Sequence, residues 1–176
     1  TYAYPPLFNS ANLSIRSFIS RGQEKVIGSR DGLFYINEAT GMVKSFVKPV
    51  LTSDLILTIS FYQGEYYIGT YGGGMMVLNP ETLSLKYFSQ SDTELFQKGH
   101  IFCVKPDTKG NLWIGTSQGL FNYNGQTKQI KHFTSANSQL PEGNVYEVSF
   151  DSTGKGWIAT ETGMCIYDPA SQNLRS

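Results

Sequence analysis

The sequence predicts an all-β chain of β-propeller blades: four repeats of about 44 residues, each a four-stranded antiparallel sheet, together making a partial propeller. Three observations carry this. The stretch Asn111 to Asn124, NLWIGTSQGLFNYN, sets two β-forming runs on either side of a short polar turn, which is the pattern of a hairpin. The chain writes that stretch four times, the other copies being KVIGSRDGLFYIN (25 to 37), YYIGTYGGGMMVLN (66 to 79) and GWIATETGMCIYD (156 to 168). The small residue closing the first strand of each copy, Gly28, Gly69, Gly115 and Ala159, recurs in steps of 41, 46 and 44 residues, a period that fits propeller blades.

Two further strands complete each repeat. An apolar run precedes every hairpin, SIRSFIS (14 to 20), LILTISF (55 to 61), HIFCVKP (100 to 106) and NVYEVSF (144 to 150), and reads as the innermost strand. After each hairpin comes an outer strand with a basic residue, Lys44, Lys86, Lys131 or Arg175, and a closing aromatic, Phe46, Phe88 or Phe133. The basic series reads as protection of an exposed sheet edge. A fourth closing aromatic would fall at 177, one past the last residue, so the chain is expected to be part of something longer. Residues 1–13 read as the end of a preceding outer strand and a linker. Blades follow at 14–53, 54–98, 99–142 and 143–176, the last truncated at its C-terminal end.

Local signals fill in the rest. The turns PDTKGN (106 to 111) and DSTGKG (151 to 156) open with Asp and contain a Gly for positive φ. Thr93 to Lys98 has room for one helical turn. Trp113 and Trp157 hold the same place in successive repeats and are expected to be buried between neighbouring blades.

Composition bounds the function. The 176 residues are 40% hydrophobic, with 14 basic side chains balanced by 14 acidic ones, so no cationic surface for nucleic acid is expected. No apolar run approaches the roughly 18 residues of a membrane span. His100 and His132 lack metal-ligand spacing, and no cofactor, metal or catalytic residue is implied. Cys103 and Cys165 read as buried free thiols. Glu147, mid-strand between Tyr146 and Val148, reads as lining a solvated central channel.

The pattern D-x-x-G-N-L-W-I-G-T-x-x-G-L-x-x-Y, present as Asp107, Gly110 to Thr116, Gly119-Leu120 and Tyr123, resembles the two-component regulator propeller repeat. The fourth repeat keeps Asp151, Gly154, Trp157-Ile158, Thr160, Gly163 and Tyr167, whereas Val26 and Tyr67 replace the Trp in the first two. The resemblance implies a periplasmic sensor region of the kind found in hybrid two-component histidine kinases of Bacteroidetes, many of which respond to glycan fragments. It also implies a membrane-anchored parent on the periplasmic side of the bacterial inner membrane. The remaining blades and the kinase domains of that parent would be the partners, and this segment would be noncatalytic.

Loops on a rigid scaffold are where binding residues concentrate. The turns before Gly32, Gly74, Gly119 and Gly163, together with the linkers between repeats, are expected to crowd one rim. Aromatic and planar polar side chains suit sugar faces and hydroxyls, which makes Arg30, Tyr71, Gln118, Glu161, His100 and Asn144 the ligand-binding candidates. An oligosaccharide is the expected ligand, bound weakly or not at all by this segment alone. Two other classes stay open: a propeller enzyme acting on polysaccharide, as lyase or hydrolase, and a scaffold for protein partners. End blades without neighbours expose apolar faces, so a homodimer closing a ring of eight blades is also expected.

Overall fold

The computed structural model describes residues 14–88 and 95–175; the reading of residues 1–13 lies outside them. Four antiparallel sheets follow one another along the chain, each with its strands in sequence order. The first holds β1 (Ile15–Arg21), β2 (Glu24–Ser29), β3 (Leu33–Asn37) and β4 (Met42–Phe46). The second holds β5 (Ile56–Tyr62), β6 (Glu65–Thr70), β7 (Met75–Leu78) and β8 (Leu85–Tyr87). One helical turn, α1 (Leu95–Lys98), leads to the third sheet, β9 (Ile101–Pro106), β10 (Asn111–Thr116), β11 (Gly119–Asn124) and β12 (Ile130–Phe133). The fourth is β13 (Val145–Phe150), β14 (Gly156–Thr160), β15 (Met164–Asp168) and β16 (Asn173–Arg175).

The Asp turns are built as their residue types require. Oδ1 of Asp107 accepts the amides of Lys109 and Asn111 at 2.9 and 2.8 Å, while Gly110 takes φ 79°. Asp151 does the same for Thr153 and Lys155 at 2.8 and 3.0 Å, with Gly154 at φ 80°. A side chain that supplies the acceptor and a glycine that supplies the left-handed step close each loop without strain. Asp107 also accepts the indole N–H of Trp113 through Oδ2 at 3.0 Å, which ties the turn to the core.

Cores lie between sheets, because each strand has one set of side chains facing the blade before it and one facing the blade after. Val26, Tyr35 and Phe46 pack on Ile59, Ile68 and Leu78 of the second sheet. Tyr67, Met75 and Phe88 pack on Val104, Ile114 and Phe121 of the third, joined by Phe96 of α1. Trp113 and Leu120 pack on Val148, Ile158 and Tyr167 of the fourth, with the Trp113 and Tyr167 rings 4.5 Å apart. The innermost strands β1, β5, β9 and β13 run side by side along the inner edge. That closeness explains the small residue of each repeat: a Cβ on Gly115 would stand 2.6 Å from the carbonyl oxygen of Val145 on the next sheet.

The result is an open arc, and it corrects the expectation for Trp157. That indole is 41% exposed and Met164 beside it 56%, whereas Trp113 is 1% exposed. No described sheet lies beyond the fourth to cover them. At the other end Ile15 and Phe18 are 47% and 57% exposed, although their counterparts Ile56 and Ile59 are buried. Cys103 and Cys165 are free and buried, and burial pushes their thiols up to about 12 and about 11. Among the described residues no helix is long and apolar enough to cross a membrane.

Candidate functional site

The same backbone joint occurs four times at one rim of the arc. The amides of Arg30, Tyr71, Ser117 and Glu161 donate to the carbonyls of Ser14, Leu55, His100 and Asn144 at 3.1, 3.0, 3.2 and 2.9 Å. Each joint pins a hairpin turn to the linker that enters its own innermost strand. Two residues further on, every innermost strand carries a β-bulge, which leaves Arg16, Leu57, Phe102 and Tyr146 as the extra, unpaired residues. A bulge re-aims the side chain it carries, and here it does so next to the pinned turn.

On sheets two to four these positions join into one ridge. The Tyr71 and His100 rings are stacked, with centroids 3.9 Å apart and planes at 25°. His100 leads to Phe102 at 6.2 Å, and Phe102 meets the edge of Tyr146 at 5.1 Å. Nδ2 of Asn144 donates to the Tyr146 hydroxyl and to Oε2 of Glu161, both at 3.1 Å. Tyr71 and Tyr146 are 51% and 43% exposed, so their rings present apolar surface to water beside a carboxylate and an amide. Nδ1 of His100 is buried without a protein partner among the described residues. Beside the ridge, Lys105 and Glu147 form an ion pair of 3.1 Å between β9 and β13, which gives Glu147 a partner on the inner edge.

Four of the six sequence candidates, Tyr71, His100, Asn144 and Glu161, therefore come together. Arg30 takes the equivalent joint on the first sheet with its side chain exposed, at the far end of the arc. Gln118 sits one residue past the joint, which falls on Ser117 instead. Its carbonyl accepts from Nε2 of His132 on β12 at 2.7 Å, so it belongs to the outer side of its sheet. Phe102 and Tyr146 complete the ridge and were not anticipated. Both stand near the start of an apolar run, and only the bulge separates them from core positions.

The family model for the two component regulator propeller matches residues 96–118, which run from α1 through β10. The chain carries a two component regulator propeller repeat. Solved structures agree on the fold around that repeat. The extracellular domain of the proposed hybrid two component system BT3049 from B. thetaiotaomicron is 28% identical with a TM-score of 0.68, over 92% of this chain and 21% of that one. The corresponding domain of BT4673 from the same organism shares 21% identity with a TM-score of 0.72, over 92% and 22%. The computationally designed Ika4 protein shares the fold at 14% identity and a TM-score of 0.64, over 90% of this chain and 92% of that one. The chain thus spans about a fifth of the length of the two B. thetaiotaomicron domains. No curated protein matches it.

Proposed function

We propose that this chain is a noncatalytic part of the extracytoplasmic sensor propeller of a hybrid two-component histidine kinase, and that it responds to a glycan-derived ligand. The observation that carries the reading is the ridge from Tyr71 through His100, Phe102 and Tyr146 to Asn144 and Glu161. Exposed aromatic faces offer stacking surface for the C–H faces of a sugar, and the amide and carboxylate at one end fix hydroxyl orientation. The resemblance of the repeat and the 28% identity to the BT3049 domain support the sensor class. The kinase domains and membrane anchor belong to the parent protein.

An enzyme reading competes, because His100 and Tyr71 stand together at the inner edge. Their rings are stacked face to face rather than aimed at a common point, which suits a platform better than a proton-transfer pair. The test is a transcriptional reporter for the parent system in its own cells, grown on single glycans. Tyr71→Ala combined with Tyr146→Ala is expected to abolish induction by the activating glycan with the protein still made at its normal level. Unchanged induction sinks the ridge as the sensing site, and glycan turnover by the purified parent sinks the noncatalytic reading.

A further inference from the structure

At the opposite end of β10 from the rim, a cleft of about 340 Å3 opens between the third and fourth sheets. Comparison of the four repeats shows what is unusual about it. Each sheet carries a cross-strand row through its second, third and fourth strands, and the middle residue of that row is Tyr35, Val77, Asn122 or Ile166. Three of these are apolar or amphipathic side chains. Asn122 alone is an amide, and its Nδ2 is buried with no hydrogen-bond partner among the described residues. A buried donor left unmatched loses its hydration with no bond to replace it, so an amide placed in that row needs something to bind.

The charge of the cleft changes in the same repeat. Between the second and third sheets the equivalent cleft pairs Lys86 with Glu65 at 3.3 Å. In the third repeat the position of Glu65 is taken by Asn111, whose Oδ1 accepts from Nδ2 of Asn124 at 3.0 Å. Lys131, the counterpart of Lys86, now meets the neutral Oε1 of Gln172 at 3.3 Å, and Nζ of Lys109 lies 3.4 Å from the carbonyl of Pro169. Among the described residues, those lining this cleft include both lysines and no carboxylate. The ring of Tyr167 supplies an apolar wall.

We infer that this interblade cleft is a second carbohydrate site, selective for an acidic sugar of the uronic-acid class. The carboxylate of the sugar lies between Lys109 and Lys131, a hydroxyl accepts from Nδ2 of Asn122, and the sugar ring rests against Tyr167. Both lysines are exposed, so their attraction is screened by salt and the affinity falls as ionic strength rises. This site stands on residues of the third and fourth sheets alone and does not depend on the rim ridge.

The test titrates the chain with a galacturonic acid trisaccharide at low salt, followed by calorimetry, with the methyl-esterified trisaccharide as the neutral control. Binding is expected in the millimolar range, and about tenfold weaker for the ester. Asn122→Val installs the residue that the second repeat already uses and is expected to weaken binding about tenfold. Asn122→Asp, nearly the same shape with a negative charge, is expected to abolish it, as a second variant should the first fold poorly. Lys131→Gln is expected to weaken it about tenfold, while Lys86→Gln, at the matching position of the cleft between the second and third sheets, leaves it unchanged. Equal binding of acid and ester, unaltered binding by Asn122→Asp, or no heat at about 20 mM trisaccharide overturns the inference. Loss of binding with Tyr71→Ala moves the ligand to the rim, which also overturns the cleft assignment but leaves the rim reading standing.

Discussion

Trp113 and Trp157 hold the same place in consecutive repeats, yet Trp113 is 1% exposed and Trp157 41%. The difference lies in what stands beyond each sheet. Trp113 is closed over by Phe150 and Tyr167 of the fourth sheet and anchored by Asp107. Trp157→Ala removes little that the fold depends on in dilute solution and is expected to cost less than about 1 kcal/mol. Trp113→Ala empties a packed interblade site and is expected to cost about 3 to 5 kcal/mol. Urea denaturation of the two variants checks the asymmetry; equal losses would remove the blade-by-blade account of packing.

The buried thiols and phenols set a direction for stability against pH. Burial raises Cys103 to about 12 and Cys165 to about 11 from an ordinary 9.0, and raises Tyr66 and Tyr67 as well. Groups whose folded pKa lies above the unfolded one contribute stability that is whole below the unfolded value and is lost as pH rises through the folded one. Thermal melts are therefore expected to show no change from these groups below pH 9 and a progressive fall between about 9 and 12. Cys103→Ala should flatten part of that fall. A melting temperature that rises across this window contradicts the assignment.

Much of the fold was legible because the repeat states it four times. Strand order, the Asp turns and the closing glycines all follow from residue types at fixed spacing. The apolar faces exposed on the two end sheets were legible from the repeat plan, but the place of Trp157 was not: whether it is covered depends on a neighbouring sheet and not on its own repeat. The rim was half legible. Tyr71, His100, Asn144 and Glu161 come together because turn and linker meet there in every repeat. Phe102 and Tyr146 were missed because a bulge shifts the alternation by one residue, and alternation is what distinguishes core from surface in a strand. Gln118 misled because the joint takes the first residue of its two-residue turn. The polarity of Asn122 becomes meaningful only when four paired rows are compared.

The exposed faces at the two ends of the arc give an expectation for association. Ile15 and Phe18 on the first sheet, and Trp157 and Met164 on the fourth, are the two halves of the interface that is already made three times within the chain. A second copy placed head to tail would complete both contacts and close a ring of eight blades. Light scattering at tens of micromolar is expected to give twice the monomer mass of 19.6 kDa, and Trp157→Lys to return it to the monomer. A monomer for the unmodified chain at that concentration rules the closed pair out.

The ridge at the rim is tested most directly by a nuclear magnetic resonance titration of the chain with neutral oligosaccharides, following the aromatic signals of Tyr71, His100, Phe102 and Tyr146. Weak, millimolar binding is predicted for this part of a sensor, with the shifts concentrated on those four rings and on the side-chain amide of Asn144. Micromolar binding by this chain alone, or shifts that bypass the ridge while a neutral sugar binds, would contradict the account.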